Sequence, residues 1–416
     1  MNIKIIFLLI CLCAVNVFAD EQISQKGLTL EQAIIRVLEN HPKLKIADYE
    51  AQAMAARMRK ALLIPADRVN ISLEDFAGID SVSGVRGVEA TFSLSRTLEL
   101  GNKAARRGAV VDRETLLLSN QKDIDRLDLL TETARRFLHV AADQERLFIA
   151  QDAIDLIKLT EKTVEKRIET GKTPTVERQR VAIDLANYEL DLDHKRHEME
   201  SSRLSLATLW NDKRSNFDVV EGDIFRLDVL PDFIELEKLL DRNPNLIRHI
   251  RAEDLARARI RLAQSKSKPD VDLSAGLRYL AEGDDVAFMF SASIPLGTAG
   301  RAQHGIAEAE ALSRIAPLNL EQQRMELYAT LFEIHQEMKH AIDAVVTLRK
   351  KIIPAAEEML VAYKKGYQFG RYSLLELIQI QQLLLSMRSR AVDMAVNYHN
   401  YRIEIDRLTA AQLSQR

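Results

Sequence analysis

The chain has 416 residues, of which 47% are hydrophobic and 29% are charged, while aromatic residues make up only 6%. So few aromatics, with only 15 glycines and 9 prolines, argue against a β-sandwich, a propeller or an α/β enzyme and favour long helices. The 58 lysines and arginines are nearly balanced by 61 acidic residues, so no basic excess indicates a nucleic-acid partner.

The N-terminus has the pattern of an export signal. One lysine precedes an almost wholly apolar run over residues 5–17, and Ala19 completes a small-residue cleavage pattern. The run is shorter than the ~20 residues of a spanning helix, which favours a cleaved signal peptide at residues 1–19 over a membrane anchor. Because Cys11 and Cys13 both lie in this segment, the mature chain would contain no disulfide and no cysteine metal site.

The remainder of the chain contains two similar units. The segment Asn40–Pro42 recurs as Asn243–Pro244, and residues 69–72 recur as 271–274, in each case roughly 200 residues later. Matches that keep the same order and nearly the same spacing imply a duplication. We therefore predict a first repeat over residues 20–210, a connector over 211–231 and a second repeat over 232–416.

Each repeat is expected to contain a helix, a β-hairpin and a pair of long helices. Apolar and polar residues alternate with a period of two over 68–95 and 270–295, which predicts the hairpins. Apolar residues recur at heptad spacing over 103–210 and 301–413, which predicts long helix pairs that supercoil against partner helices.

The long helices exceed the size of a globular domain. A helix over residues 103–170 would be roughly 100 Å long, since each residue adds 1.5 Å. Residues 301–369 would form a helix of similar length, which Pro317 and Pro354 should kink or interrupt.

The strands are long enough to cross a bilayer when tilted. Four strands alone cannot close, however, and open strand edges do not occur in lipid. A membrane role would therefore require several copies of the chain, and the alternative is a pair of hairpins packed on helices.

This organisation resembles the TolC family of outer-membrane efflux factors over residues 28–410. The local matches are Leu30-Glu31-Gln32-Ala33 before Asn40-His41-Pro42, the junction Leu98–Lys103, and the turns at 167–173 and 363–373. The resemblance implies a mainly α homotrimer with a transmembrane β part. Four strands per protomer would share a twelve-stranded barrel in the outer membrane of a Gram-negative bacterium, and the long helices would form a periplasmic α-helical coiled-coil barrel.

The junction Leu98-Glu99-Leu100-Gly101-Asn102-Lys103 is similar to that of the CzcC-like branch of this family. This branch implies a passive, non-enzymatic conduit for heavy-metal cations that works with a periplasmic adaptor and an inner-membrane pump and needs no cofactor. Arg96-Thr97 and Asn102 depart from that branch, which often has Gln-Pro and a second Gly at these places. A type I protein secretion pore, a drug-efflux pore and a periplasmic coiled-coil protein without a pore remain alternatives.

The two helix-to-helix turns are the candidate periplasmic tips. Glycine allows the chain to reverse at little steric cost, and a threonine or serine can cap the helix that follows. By resemblance, these turns contact the adaptor. The residues predicted for this role are Gly171, Thr173, Thr175, Gly370, Arg371 and Ser373.

Glu177 and Glu376 occupy matching positions about one turn beyond the tips. In a trimer each would form a ring of three carboxylates, which attracts cations at a constriction. By resemblance, the family's aperture acid aligns with Glu376, and a second acid aligns with Gln379. The alternative is that both glutamates provide favourable charge near a helix N-terminus.

Two other groups of residues are weaker candidates. His194 and His197 lie within helical reach of Asp191 and Glu198, which suggests a divalent metal site, although long coiled coils carry such groups by chance. Basic residues near the tips either pair across protomers or form solvated surface; they are Lys166, Arg167, Lys172, Lys364, Lys365 and Arg371. No set of residues indicates catalysis.

Overall fold

A computed structural model describes residues 27–75, 79 and 84–411 of the chain. The predicted signal peptide at residues 1–19, with Cys11 and Cys13, lies outside the described residues. Two helices open the described part, α1 (Leu30–Asn40) and α2 (Pro42–Leu62). Helix α1 ends where α2 begins, because His41 adopts extended backbone and caps α2, and a proline follows at the first helical position.

The next elements are a hairpin and two long helices. Strands β1 (Arg68–Glu74) and β2 (Glu89–Leu98) are followed by α3 (Lys103–Glu169) and α4 (Val176–Ala207). Helix α3 is an unbroken run of 67 residues, so the predicted length of roughly 100 Å is confirmed. No proline interrupts it.

The rest of the chain passes through a connector into a second set of elements. They are α5 (Phe233–Leu239), α6 (Pro244–Ser265), β3 (Val271–Leu280), β4 (Asp285–Ser293), α7 (Thr298–Ser313), α8 (Ile315–Thr347), α9 (Ile353–Gln368) and α10 (Leu374–Leu408). The mainly helical class with a small β part is thereby confirmed.

The second long helix is interrupted twice, as its prolines predict. Helix α7 ends just before Pro317, which falls in the first turn of α8. Backbone N–H groups in a first turn have no partner within the helix, so proline, which lacks an N–H, is tolerated there. A five-residue π-helical segment, Leu348–Ile352, precedes Pro354 at the start of α9. Proline removes one backbone donor and crowds the preceding turn, which accounts for the interruption of the α-helical hydrogen bonds just before Pro354.

The four strands form one antiparallel sheet in the order β1-β2-β3-β4. The central β2–β3 pair joins the hairpins from the two halves of the chain. At Gly276 a Cβ atom would lie 2.2 Å from the carbonyl oxygen of Phe92, so only glycine permits this close approach of the two strands.

The core is a long seam between helices. One face of α10 is buried at every seventh position, which is the spacing of a supercoiled helix packed on its neighbours. These residues are Leu377, Leu384, Ala391, Tyr398 and Ile405, each no more than 2% exposed. Among the described residues, no helix combines the length and the apolar character needed to cross a membrane.

The connector is tied to the helices by side chains of α8 and α10. Nε2 of His399 lies 2.9 Å from the carbonyl oxygen of Ile224, and the Tyr398 hydroxyl accepts a hydrogen bond of 2.8 Å from the Asp228 backbone N–H. Nε2 of His335 lies 3.0 Å from the Pro231 carbonyl oxygen. These bonds satisfy backbone groups in a segment without regular structure.

Acidification should loosen this attachment. Burial lowers the pKa of His399 below its usual value, against opposing contributions from the Ile224 carbonyl, Asp228 and Asp223. The unfolded chain therefore takes up the proton first, so the stabilisation is complete above about pH 6.5 and is lost as the pH falls from there through the folded-state pKa. We expect faster proteolysis of the connector at pH 5 than at pH 7.5.

The matched variant is His399→Gln, which keeps an N–H donor for the Ile224 carbonyl but does not titrate. It should reduce the difference in proteolysis rate between the two pH values. An unchanged difference would show that His399 does not cause the acid sensitivity.

Candidate functional site

The two helix-to-helix turns are closed by the same backbone bonds. Gly171 and Gly370 have φ values of 67° and 74°, which glycine adopts without the steric penalty of a Cβ atom. In each turn the residue after the glycine donates to the carbonyl five residues earlier, as in a Schellman motif. These bonds run from Lys172 N to Arg167 O and from Arg371 N to Gly366 O, and both are 2.8 Å long.

The helices that leave the turns are capped differently. Ser373 caps α10 in a capping box with Glu376, whose Oε2 accepts from the Ser373 backbone N–H at 2.7 Å and from its hydroxyl at 2.8 Å. The backbone hydrogen bond, and then the hydroxyl bond, lower the pKa of Glu376. Thr175, the residue before α4, makes no side-chain bond to the start of that helix. The expected threonine cap is therefore wrong.

Arg167 joins the two turns within one protomer. Its guanidinium donates to the carbonyls of Tyr367 at 2.5 Å and of Gln368 at 3.2 Å, and to that of Lys172 at 3.2 Å. It also lies over the Tyr367 ring, 4.7 Å from the ring centre. Arg167 thus binds backbone oxygens of both turns in its own chain.

Tyr367 extends this connection to Glu177. The Tyr367 side chain is 1% exposed, and its hydroxyl donates to Oε2 of Glu177 at 2.6 Å. Burial, followed by this hydrogen bond, raises the pKa of Tyr367 well above its usual value, so the hydroxyl keeps its proton. We call Arg167, Tyr367 and Glu177 the tip clamp. The sequence does not predict this role of Tyr367, because its partners lie about 190–200 residues away in the chain.

The two predicted glutamates therefore have different hydrogen-bond partners in the structure. Glu177 is half-buried and bonded across the turns, whereas Glu376 is half-buried and bonded within its own turn. Gln379 is exposed on α10, one turn beyond Glu376. The matching sequence positions do not have matching partners.

The histidine pair on α4 is not arranged as a metal site. Nε2 of His194 lies 3.1 Å from Glu198, which also accepts from Lys195 at 2.8 Å, and His197 faces Asp193 at 3.6 Å. In the described ranges, no group of three or more His, Cys, Asp or Glu is placed to hold a metal ion. The candidate ligands His194 and His197 are therefore contradicted, because each faces a different carboxylate and the second oxygen of Glu198 is bonded to Lys195.

One face of the sheet carries apolar side chains that are largely exposed, and the other face carries mostly polar side chains, of which those on the central strand β2 are the most buried. On one face Ile71, Phe288 and Phe290 are 73%, 92% and 74% exposed, whereas on the other Thr91 and Ser95 are only 8% exposed. This reverses the pattern of a sheet packed on a protein core. The alternative of hairpins packed on helices through their apolar face is therefore wrong for these strands.

Two helices also carry rows of apolar residues that are largely exposed in the single chain, although Phe332 of one row makes an edge-on contact with Phe233. On α8, Leu318, Met325 and Phe332 are seven residues apart and are 65%, 59% and 49% exposed. We call this row the α8 outer seam. Helix α4 has a similar row at Val176, Ile183 and Leu190, exposed by 61%, 60% and 71%, which we call the α4 outer seam. Exposed heptad rows are typical of helices that pack on partners.

Comparison with known proteins agrees with this geometry. The cobalt-zinc-cadmium resistance protein CzcC of Cupriavidus metallidurans is 24% identical over 382 residues, covering 92% of this chain and 90% of that protein. The cation efflux system protein CusC of Escherichia coli K12 is 22% identical over 420 residues, covering 94% and 87%.

Solved structures share the fold. The crystal structure of CusC superposes with a TM-score of 0.76 at 16% identity and covers 91% of both chains. The outer-membrane channel OprN gives a TM-score of 0.75 at 17% identity, covering 91% of this chain and 89% of its own. Residues 236–411 match the outer membrane efflux protein family. Together these matches show that the chain has the TolC-like fold of outer-membrane efflux channels.

Proposed function

We propose that the chain is the outer-membrane channel of a tripartite efflux system and works as a homotrimeric passive conduit. The observation that supports this most directly is the sheet with an exposed apolar face on one side and a mostly polar face on the other. Lipid is the environment in which such an apolar face is stable.

The unpaired sheet edges require further copies of the chain. In a single protomer β1 and β4 are the outer strands of the sheet, and each has one unpaired edge. Because an open edge cannot persist in lipid, β4 of one copy would pair with β1 of the next. Three copies would then contribute twelve strands to one closed sheet, with the polar face towards a water-filled interior.

The helices support the same assembly. The α8 outer seam and the α4 outer seam present apolar rows at the heptad spacing that helix–helix packing requires. Copies arranged around one axis would cover both rows. The tips at Gly171 and Gly370 would then lie at the far end of the helices from the sheet, where an adaptor and an inner-membrane pump would dock. Phe369, which is 77% exposed beside Arg371, would add to that docking surface.

Heavy-metal cations are the proposed cargo. The named relatives are a cobalt-zinc-cadmium resistance protein and cation efflux system proteins. Ionised Glu376 at each tip would place three carboxylates around the axis of the trimer, which favours cations at a narrow aperture. Deletion of the gene should therefore increase sensitivity to divalent heavy metals more than sensitivity to drugs; the reverse pattern would favour a drug-efflux pore.

Glu376→Gln tests the aperture. Glutamine at this position can still complete a capping box with Ser373, so the variant removes the charge while preserving the helix start. We expect a lower cation-to-anion permeability ratio for the reconstituted trimer, measured from reversal potentials in a salt gradient. Gln379→Glu is the matched opposite change and should raise the ratio. If neither variant changes the ratio, these positions do not line the aperture.

A further inference from the structure

Polar side chains on the inner face of the sheet are linked at two levels. At the helix end, Arg68 of β1 lies 3.3 Å from Asp272 of β3, and Thr97 of β2 bonds the same carboxylate. At the loop end, Arg278 of β3 lies 2.7 Å from Glu89 of β2. The six residues from Asp272 to Arg278 place the two levels roughly 20 Å apart.

Between these levels the inner face is uncharged. Asn70 donates to the Ser95 hydroxyl at 3.2 Å, and the Ser274 and Ser291 hydroxyls lie 3.0 Å apart. Gly276 also belongs to this stretch, since it pairs with Ser93 in the ladder. Charge on the inner face is therefore concentrated at the two ends of the sheet.

Arg278 is held firmly at the loop end. Its Nη1 donates to Glu89 and its Nε donates at 3.1 Å to the hydroxyl of Thr91, so two residues of the neighbouring strand fix the guanidinium. Arg278 and Glu89 are both about one-quarter exposed, at 29% and 27% of their side-chain surface. An arginine bound at two points keeps its charge in a defined place.

Glu74 adds negative charge at the loop end of the sheet. It stands directly opposite Glu89 in the β1–β2 ladder, on the same face. Within the described part of the chain, Glu74 has no ion-pair partner. Asp285 of β4 is on the same face, since it pairs with Leu280, which in turn pairs with Glu89. Arg278 is thus a single fixed positive charge among three carboxylates, and like charges directly opposite one another repel.

We infer that the Arg278–Glu89 pair is a second charge-selecting element of the conduit, at the opposite end from the helical tips. This inference depends on the proposed function, because only closure of the sheet turns its polar face into the wall of a pore. Arg278 offsets the charge of Glu89 and so limits the attraction of cations at the outer mouth. Loss of Arg278 would make the mouth more selective for cations, and loss of Glu89 would make it less selective.

The local potential can be measured with a thiol. If the signal peptide is cleaved, the mature chain has no cysteine, so Ser93→Cys introduces a single reactive site on the inner face, two residues from Thr91. Impermeant cationic and anionic methanethiosulfonates would be applied to intact cells at an ionic strength of about 0.01 M, where the Debye length is about 30 Å. The ratio of the two labelling rates reports the local potential.

Three changes are compared in the Ser93→Cys background. Removing a unit charge ~8 Å away in water should change the rate ratio roughly fivefold, since each reagent's local concentration changes about twofold. Arg278→Gln should raise the cationic-to-anionic ratio, and Glu89→Gln should lower it. Arg278→Lys, which keeps the charge, should leave the labelling ratio near that of the Ser93→Cys parent.

The matched control lies on the opposite face of the same sheet. Arg96 forms a two-point ion pair with Asp67, at 2.8 and 2.7 Å, but belongs to the outward set of β2 residues. Arg96→Gln should change the ratio less than Arg278→Gln does, because its guanidinium is farther from position 93 and lies on the opposite face of the sheet. High salt should also remove the difference between variants, because it screens the charges.

The outcomes separate this inference from the proposed function. If position 93 is labelled but Arg278→Gln and Glu89→Gln give the same ratio as the parent, the inference is overturned while the channel remains. If position 93 is not labelled and position 71 is (tested in Ile71→Cys), the polar face does not line a pore, and the proposed function fails with the inference.

Discussion

Arg167→Ala should separate the two tips of each protomer and raise the single-channel conductance of the reconstituted trimer several-fold. Arg167 makes three hydrogen bonds to carbonyl oxygens, two of them to Tyr367 and Gln368 at the other turn. A hydrogen bond with a charged partner contributes about 1.5–3 kcal/mol, so losing this set would greatly weaken the contact between the turns. If these contacts keep the tips together, their loss widens the aperture.

Two further variants identify the source of the effect. Tyr367→Phe removes only the hydroxyl bond to Glu177 and should give a smaller increase in conductance. Lys166→Ala, next to Arg167 but exposed on α3, is the matched control and should behave like the parent. Equal conductance for Arg167→Ala and the parent, together with unchanged proteolysis of the turns, would show that the tip clamp does not restrict the aperture.

The elements were predictable because they depend on local signals. Heptad spacing predicts α3 and α10, period-two alternation predicts the strands, and prolines predict the interruptions around α8. Strand lengths were less predictable. Strand β1 has seven residues because Asp75 adopts left-handed backbone and ends it, whereas β2 continues to Leu98 because that residue still pairs with Val271.

The candidate site was less predictable because it depends on contacts between distant parts of the chain. Repeat symmetry equated Glu177 with Glu376, but only the second turn has a serine that forms a capping box. Glu177 instead accepts a hydrogen bond from the hydroxyl of Tyr367. This contact cannot be read from the sequence, because it forms only when the two turns are adjacent in the fold. A lone basic residue such as Arg167 carries no sequence signal for binding three carbonyls.

The two outer seams could not be recognised as contact surfaces from the sequence either. A heptad pattern identifies helices that supercoil, but it does not say whether the partner belongs to the same chain. Only the exposure of each position separates the buried row at Leu331 and Met338 from the exposed row at Met325 and Phe332. The prediction that the α8 outer seam is an interface between copies therefore depends on the fold of the single chain.

Met325→Glu should prevent trimer formation. Met325 is at the centre of the α8 outer seam and is 59% exposed in one protomer. Burying such a side chain against a neighbouring copy would contribute about 1.5–3 kcal/mol at each of three interfaces, and an unpaired carboxylate there would be strongly unfavourable. We expect the variant to lose heat-resistant trimers on gels and to elute as a monomer in detergent.

Controls distinguish assembly from folding. Met325→Leu keeps an apolar side chain of similar volume and should still form trimers, whereas Phe332→Asp, one heptad further along, should reproduce the defect. The monomeric variants should retain the helical circular dichroism of the parent, since Met325 and Phe332 are 59% and 49% exposed in the single chain and Phe332→Asp loses only an edge-on contact with Phe233. Heat-resistant trimers of Met325→Glu at the parent's level would show that the α8 outer seam faces solvent, and the arrangement of copies proposed here would be wrong.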